Sequence, residues 1–310
     1  GRPSSGGSKA AYPCKSYGQG RINPAYFYGV FDPNDMRRDV SITMTGSNGK
    51  GVEKLIPFVP NSKAEGGGLT LNKWDENRQA NPWVAAQRKS GINGPYMRMS
   101  EVYLGYAEVC AALGDVVTGK QYLKTVRERS FPQGLANTDA FIASFGNDLV
   151  RAIIEERGFE YAGEGDRRWT LIRSGYLPED IKRIKDMTKA MMDGLATKGY
   201  YEFENGNIIS AYIWTKLVDA KTIYGHRLTA QCPTDKVNDP VLYPGWRGQK
   251  DNWEEMGLNY GSSTPATNLA IKGLFEIVSE EEAASLESQG YTKVNWGIDL
   301  VDNRDEYDKY

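Results

Sequence analysis

Histidine is nearly missing from this sequence: His226 is the only one in 310 residues. A histidine-based metal cluster is therefore excluded, and a Ser-His-Asp triad has one residue to draw on. That residue lies in Tyr224-Gly225-His226-Arg227 and no G-x-S-x-G elbow occurs, so His226 reads as a loop residue. Cysteine is also scarce, and its count is odd: Cys14, Cys110 and Cys232 show no metal-ligand spacing. Cys110 falls in an apolar helical pattern and reads as packed, whereas pairing of Cys14 with Cys232 stays open. Net charge is almost absent, 38 basic against 40 acidic residues, which argues against nucleic acid or anionic lipid as a partner. No run of about 18 apolar residues is present, so no segment reads as a transmembrane helix. The opening G-R-P-S-S-G-G-S-K-A is small and polar, unlike a signal peptide, and is expected to be loop. Neither a G-x-x-x-x-G-K-[ST] phosphate loop nor a dinucleotide fingerprint occurs. Gly163-Glu164-Gly165-Asp166-Arg167-Arg168 ends in arginine and follows a helical pattern, so no cofactor is expected.

What is present is helical periodicity in a centre spanning 96–175. Met99, Val102, Tyr106, Cys110 and Leu113 fall at steps of three and four, which predicts a helix with that face buried. Gly114 is a stop signal, and Asp115 or Thr118 can cap a second helix presenting Val117, Tyr122, Leu123 and Val126. A linker this short predicts an antiparallel pair. A second pair follows, from Leu149, Ile153, Ile154 and Phe159 through a turn at Ala162–Gly165 to Trp169, Leu171 and Ile172. The turns Gly114-Asp115 and Gly165-Asp166 lie about 50 residues apart, a stretched version of tetratricopeptide spacing. The expectation is a mainly α fold of TPR-like stacked helical hairpins (an α-α superhelix), with long loops and a few short strands.

Outside that centre, residues 1–95 and 225–270 read as loop-rich. Phe31-Asp32-Pro33-Asn34-Asp35 is a turn signal, Val40 to Thr45 a short strand, and Gly51 to Val59 its returning partner. Pro178 marks a helix start, with Ile181, Ile184, Met187, Met191 and Met192 expected on its buried face. Ser279 with Glu282 has capping-box spacing.

Carboxylates are plentiful, so a glycoside hydrolase is one reading. Glu155, Glu156, Glu160 and Glu164 alternate with Arg151, Arg157, Arg167 and Arg168. Flanking arginines lower a carboxyl pKa, the wrong direction for a general acid, so this cluster predicts an ion-pair framework and no catalytic residues. Trp169 and Trp214 sit in apolar or helical patterns and are expected in the core. Trp74, Trp83, Trp246 and Trp253 lie in polar loops rich in Gly, Pro and Asn, where they either anchor the loop or face a ligand. Around Trp74 the chain supplies Asn72, Asp75, Asn77 and Arg78, hydrogen-bonding groups beside an aromatic plane. That combination suits a neutral sugar, whose C–H faces stack on rings.

The residues carry a resemblance as well. Arg98-M-S-E-V-Y-L-G-Y-A-E108, then V-R-E-R at 126–129, then I-I-E-E-R-G-F-E-Y-A-G-E-G-D-R-R-W-T-L-I-R at 153–173 resemble the SusD/RagB family, and Arg21-I-N-P-A-Y-F-Y-G-V-F-D-P resembles its upstream region. The segment from Leu274 departs from the L-x-P-I-P ending common there. The resemblance implies a non-catalytic outer-membrane lipoprotein that binds oligosaccharide or polysaccharide at the cell surface for delivery to a SusC-like TonB-dependent transporter. It further implies one SusD/RagB-like domain over 1–310, the C-terminal portion of a longer protein, with contact to the membrane only through an N-terminal lipid anchor. The competing readings are a helical-repeat scaffold that binds protein and no sugar, and the glycoside hydrolase.

Overall fold

A computed structural model of the chain describes residues 20–47, 53–58, 68–74, 94–132, 134–219 and 267–301. They fall into two compact units, one drawn from Gly1–Val30, Ile42–Ile92 and Lys185–Tyr310, the other from Phe31–Ser41 and Asn93–Ile184. The fold is mainly α: ten helices stand among the described residues, and the nine strands are short and form small separate sheets.

The second unit holds the helical hairpins. Helix α3 (Met99–Ala112) ends at Gly114, and α4 (Val116–Glu128) starts where the Asp115 carboxylate accepts from the Thr118 amide at 3.1 Å. The two run antiparallel at close range because Gly119 has no side chain. A Cβ there would stand 3.0 Å from the Ala107 carbonyl oxygen. α5 (Thr138–Ala143) leads to α6 (Leu149–Glu160), which packs against both α3 and α4 and turns into α7 (Asp166–Ser174). Leu104, Ala107, Leu123, Val126, Ile142, Leu149, Ala152, Ile153 and Tyr161 form the core between these TPR-like pairs.

Two expectations about faces are corrected here. The buried side of α3 is Ser100, Leu104, Ala107 and Cys110, not the stripe of bulky residues. Met99, Val102, Tyr106, Val109 and Leu113 are exposed, Leu113 to 81%. α3 is apolar on two sides, and the inward side, with Leu104 and Ala107, joins the core shared with α4 and α6. Trp169 is likewise on the surface, 69% exposed, because Thr170 and Leu171 take the inward positions of α7.

The first unit mixes short helices and strands. α1 (Pro24–Gly29) and α2 (Met36–Ser41, in the second unit) fall in a stretch expected to be mostly loop. α1 forms locally: Asn23 caps it by accepting from the Ala25 amide, and Pro24 sets the first turn. Its Phe27 and Tyr28 are fully buried, Tyr28 stacking on Phe203 and accepting a hydrogen bond from the Trp296 indole at 3.1 Å. β1 (Ile42–Thr43) pairs with β4 (Thr70–Leu71), and β2 (Thr45–Ser47) pairs with β3 (Glu53–Leu55), the expected return strand. α8 (Leu177–Lys198) begins at the expected proline. It buries Met191, Met192 and Leu195, while Ile181 faces solvent. β5 (Tyr200–Glu202) and β6 (Ile208–Ser210) make a hairpin. β7 (Tyr212–Asp219) is central between β8 (Thr267–Lys272) and β9 (Thr292–Asn295). Trp214 is buried on β7, as its pattern predicts. α9 (Glu280–Ser288) is capped by Ser279, and α10 (Ile298–Val301) closes the described chain.

Candidate functional site

Two groups of residues stand out in the sequence, the acid–arginine cluster and the loop tryptophans. The cluster is a framework. Glu156 is fully buried and accepts from Arg37 Nη1 at 2.6 Å and Arg127 Nη1 at 3.0 Å. Glu160 accepts from Arg37 at 3.1 Å, from Arg98 at 2.7 Å, and from Arg129. Arg98 also reaches Glu164, Arg157 pairs with Asp166 at 2.6 Å, and Arg173 on α7 pairs with Glu108 on α3. On the other side of α6, Glu155 holds Arg151 and Arg167, each at 3.0 Å. The residues that carry the family resemblance are thus largely one ionic lattice joining α2, α3, α4, α6 and α7.

Four lattice arginines, Arg37, Arg98, Arg127 and Arg129, come from sequence positions far from the cluster, which is why charge alternation alone does not find them. Arg168 does not join: it is exposed on α7 and no ion pair to it is seen among the described residues. Burial by itself raises the Glu160 pKa, but the charges of Arg37 and Arg129, with the Arg98 contact, outweigh it and hold this carboxyl at about 2. An acid that stays ionised above pH 3 cannot donate a proton at neutral pH. Burial pushes the Tyr161 phenol up to about 12, outweighing the Ser100 hydrogen bond and the charges of Arg157 and Arg98, which act the other way, so it stays neutral.

Of the tryptophans, Trp74 is described, and its position has a structural cause. Residues 69–71 are paired on both sides: Ile22 donates to the Leu69 carbonyl at 2.8 Å, Leu71 to that of Gly20 at 2.9 Å, and β1 flanks the other edge. Trp74 follows three residues beyond this ladder and is 40% exposed. Asn72, only 6% exposed, turns inward, so of these two it is Trp74 that presents surface. Asp75, Asn77, Arg78, Trp83, Trp246 and Trp253 lie outside the described residues, as do Cys14 and Cys232. Cys110 is a buried free thiol.

Among the described residues, two of the cavities open on the second unit. The larger, about 540 Å³, lies between α4 and α5 over Val116, Ala140, Ile142 and Leu149, with no aromatic ring in its lining. The smaller, about 320 Å³, is lined by Phe145, Asp148, Arg151, Tyr176, Glu179 and Arg183. Among the described residues no group of His, Cys, Asp and Glu is arranged to hold a metal ion, and no helix is long and apolar enough to cross a membrane.

A profile of the SusD family matches residues 6–244. A SusD-like protein of Formosa agariphila is 28% identical over 160 residues, covering 51% of this chain and 26% of that protein. A crystal structure of a SusD homologue from Bacteroides thetaiotaomicron matches with 22% identity over 50% of this chain and 32% of its own, at a TM-score of 0.38. The chain thus spans about a quarter to a third of the length of the relatives it matches.

Proposed function

We propose that this chain, which belongs to the SusD family, binds an oligosaccharide or polysaccharide at a cell surface and releases it chemically unchanged. Family membership over residues 6–244 is the observation that carries this reading. In it the protein works lipid-anchored on the outer face of an outer membrane and passes its glycan to a SusC-like TonB-dependent transporter.

Two features of the chain support the sugar-binding role. Trp74 offers an exposed ring at the end of a paired ladder, a stacking surface fixed by its scaffold. The residues Asp75, Asn77 and Arg78 that follow it, and Trp83, Trp246 and Trp253, are the further proposed contacts, with Asn72 supporting from beneath. The acids of α6 support a role without hydrolysis, because each accepts from at least one arginine and Glu160 is held at about 2. The test is native affinity electrophoresis through gels containing neutral plant and algal polysaccharides. Retardation in one of them, abolished in Trp74→Ala with the melting temperature within about 2 °C of the parent, is the expected result. A Trp74→Ala protein that still binds but melts several degrees lower makes Trp74 a loop anchor, and moves the contact to Trp246 and Trp253.

A protein-binding scaffold is the second reading. The exposed apolar stripe of α3 favours it, since stripes of this kind mark protein contacts. Retardation by a polysaccharide separates the two.

A further inference from the structure

The outer side of α3 carries an apolar stripe. Met99, Val102, Tyr106, Val109 and Leu113 follow one another at steps of three, four, three and four, the spacing that keeps a row of side chains on one face of a helix. Each is half or more exposed, and Tyr96 and Met97, which lead into α3, are exposed to 100% and 61%. Leu104 and Ala107 stand on the other side of the helix, in the core with α4 and α6. At roughly 100 Å² for each half-exposed large side chain, the stripe approaches the ~800 Å² that each partner of a standard interface buries.

The stripe fits a copy of itself. Laid antiparallel with a two-fold axis at the level of Leu104, positions equally far from that level meet. Met99 then meets Val109 of the copy, Val102 meets Tyr106, and Leu113 lies over Tyr96 and Met97. Every pair occurs twice, as a contact about a two-fold axis requires, and each large side chain of the stripe gains an apolar neighbour. Gly105 lies beside that axis. No atom stands within 4 Å of the place its Cβ would take, so this side of the helix is open to a second backbone. Tyr106 is held in advance by its edge-on packing against Tyr122 of α4, 5.0 Å between ring centres, which lowers the entropy cost of contact.

Charge permits the pairing. The stripe itself holds no ionised side chain. The carboxylates that flank it, Glu101 and Glu108, face Arg157 of α6 at 4.0 Å and Arg173 of α7 at 2.8 Å. A copy therefore brings no bare carboxylate against its twin. A different protein would need an apolar row of its own with this same spacing, whereas a copy supplies it by construction.

We propose that α3 is a dimerisation helix, through which two copies of this chain pair antiparallel along their outer stripes. The contact is independent of glycan binding.

Analytical ultracentrifugation of the whole chain across micromolar concentrations tests it, with Met99→Glu and Val109→Lys as probes. Both positions are exposed, 62% and 54%, and each new charge suits its end of the helix dipole, so α3 and the fold are retained. Circular dichroism checks that. The parent chain is expected to sediment as a dimer. Each variant alone sets a charge against an apolar side chain and is expected to weaken the dimer by about tenfold or more. Mixed in equal amounts, the two variants are expected to regain it. The new carboxylate then faces the new ammonium, while the other Met99–Val109 contact stays native. A parent that is monomeric throughout overturns the proposal and leaves the stripe to a different polypeptide. A dimer that neither variant weakens, or a mixture that stays monomeric, overturns the antiparallel register and the proposal with it. Assemblies that grow beyond two copies do the same, because an isologous contact closes. Retardation by a polysaccharide bears on none of these outcomes.

Discussion

Glu160→Gln keeps the shape of a buried side chain and removes its charge, so it measures what the α6 lattice contributes. Glu160 is 2% exposed and takes hydrogen bonds from Arg37, Arg98 and Arg129. Burial raises its pKa, but the three guanidiniums more than reverse that, to about 2. Against an unfolded value of about 4.3, the gap corresponds to roughly 3 kcal/mol at neutral pH. The sign follows from the depressed pKa: the contribution is complete above about pH 5 and is lost as pH falls toward 2. Glu160→Gln should therefore lower stability by roughly 3 kcal/mol at pH 7, about 6 °C in melting temperature at roughly 2 °C per kcal/mol. The gap from the parent should shrink steadily at pH 4 and pH 3. Urea unfolding followed by circular dichroism at the three pH values gives the comparison. A loss under about 0.5 kcal/mol at pH 7, or one that does not change with pH, refutes the lattice as a source of stability.

Gly119→Ala should cost about 1–3 kcal/mol, because the new methyl meets the α3 backbone at Ala107 and Ala111, which cannot give way; thermal melting checks it. Arg168→Ala and Trp169→Ser should each stay within about 0.5 kcal/mol of the parent, since both side chains lie on the open face of α7. Glu156→Ala leaves Arg37 with Asp35 and Glu160 but Arg127, almost fully buried, with no carboxylate among the described residues nearer than Asp32 at 3.8 Å, and should cost about 3–5 kcal/mol by the same melts.

The hairpin plan is legible in the sequence because its signals are local. Glycine and aspartate punctuate α3 and α4, Asp148 precedes α6, Pro178 opens α8, and Ser279 caps α9. Which side of α3 is buried is not legible, because periodicity registers two apolar stripes. Size ranks Met99, Val102 and Tyr106 above Ser100 and Ala107, whereas the close approach of α4 at Gly119 falls on the side of Ala107 and Ala111. α1 and α2 are six residues each, too short for a period to emerge. The β1–β4 pairing joins segments about 30 residues apart, and nothing in either strand names its partner. The lattice is half legible: the α6 acids and Arg157 are adjacent in sequence, but Arg37, Arg98 and Arg127 arrive only through the fold. For the candidate site, an exposed Trp74 agrees with its polar surroundings in the sequence, while the burial of Asn72 follows from the ladder beside it.

Isothermal titration with oligosaccharides cut from the polysaccharide that retards the chain, followed by mass spectrometry of the recovered sugar, tests the central claim most directly. Capture without chemistry predicts saturable heat and the sugar returned at its original length, with no new reducing ends after prolonged incubation. Shortened sugar, or no heat from any oligosaccharide of the series, contradicts it.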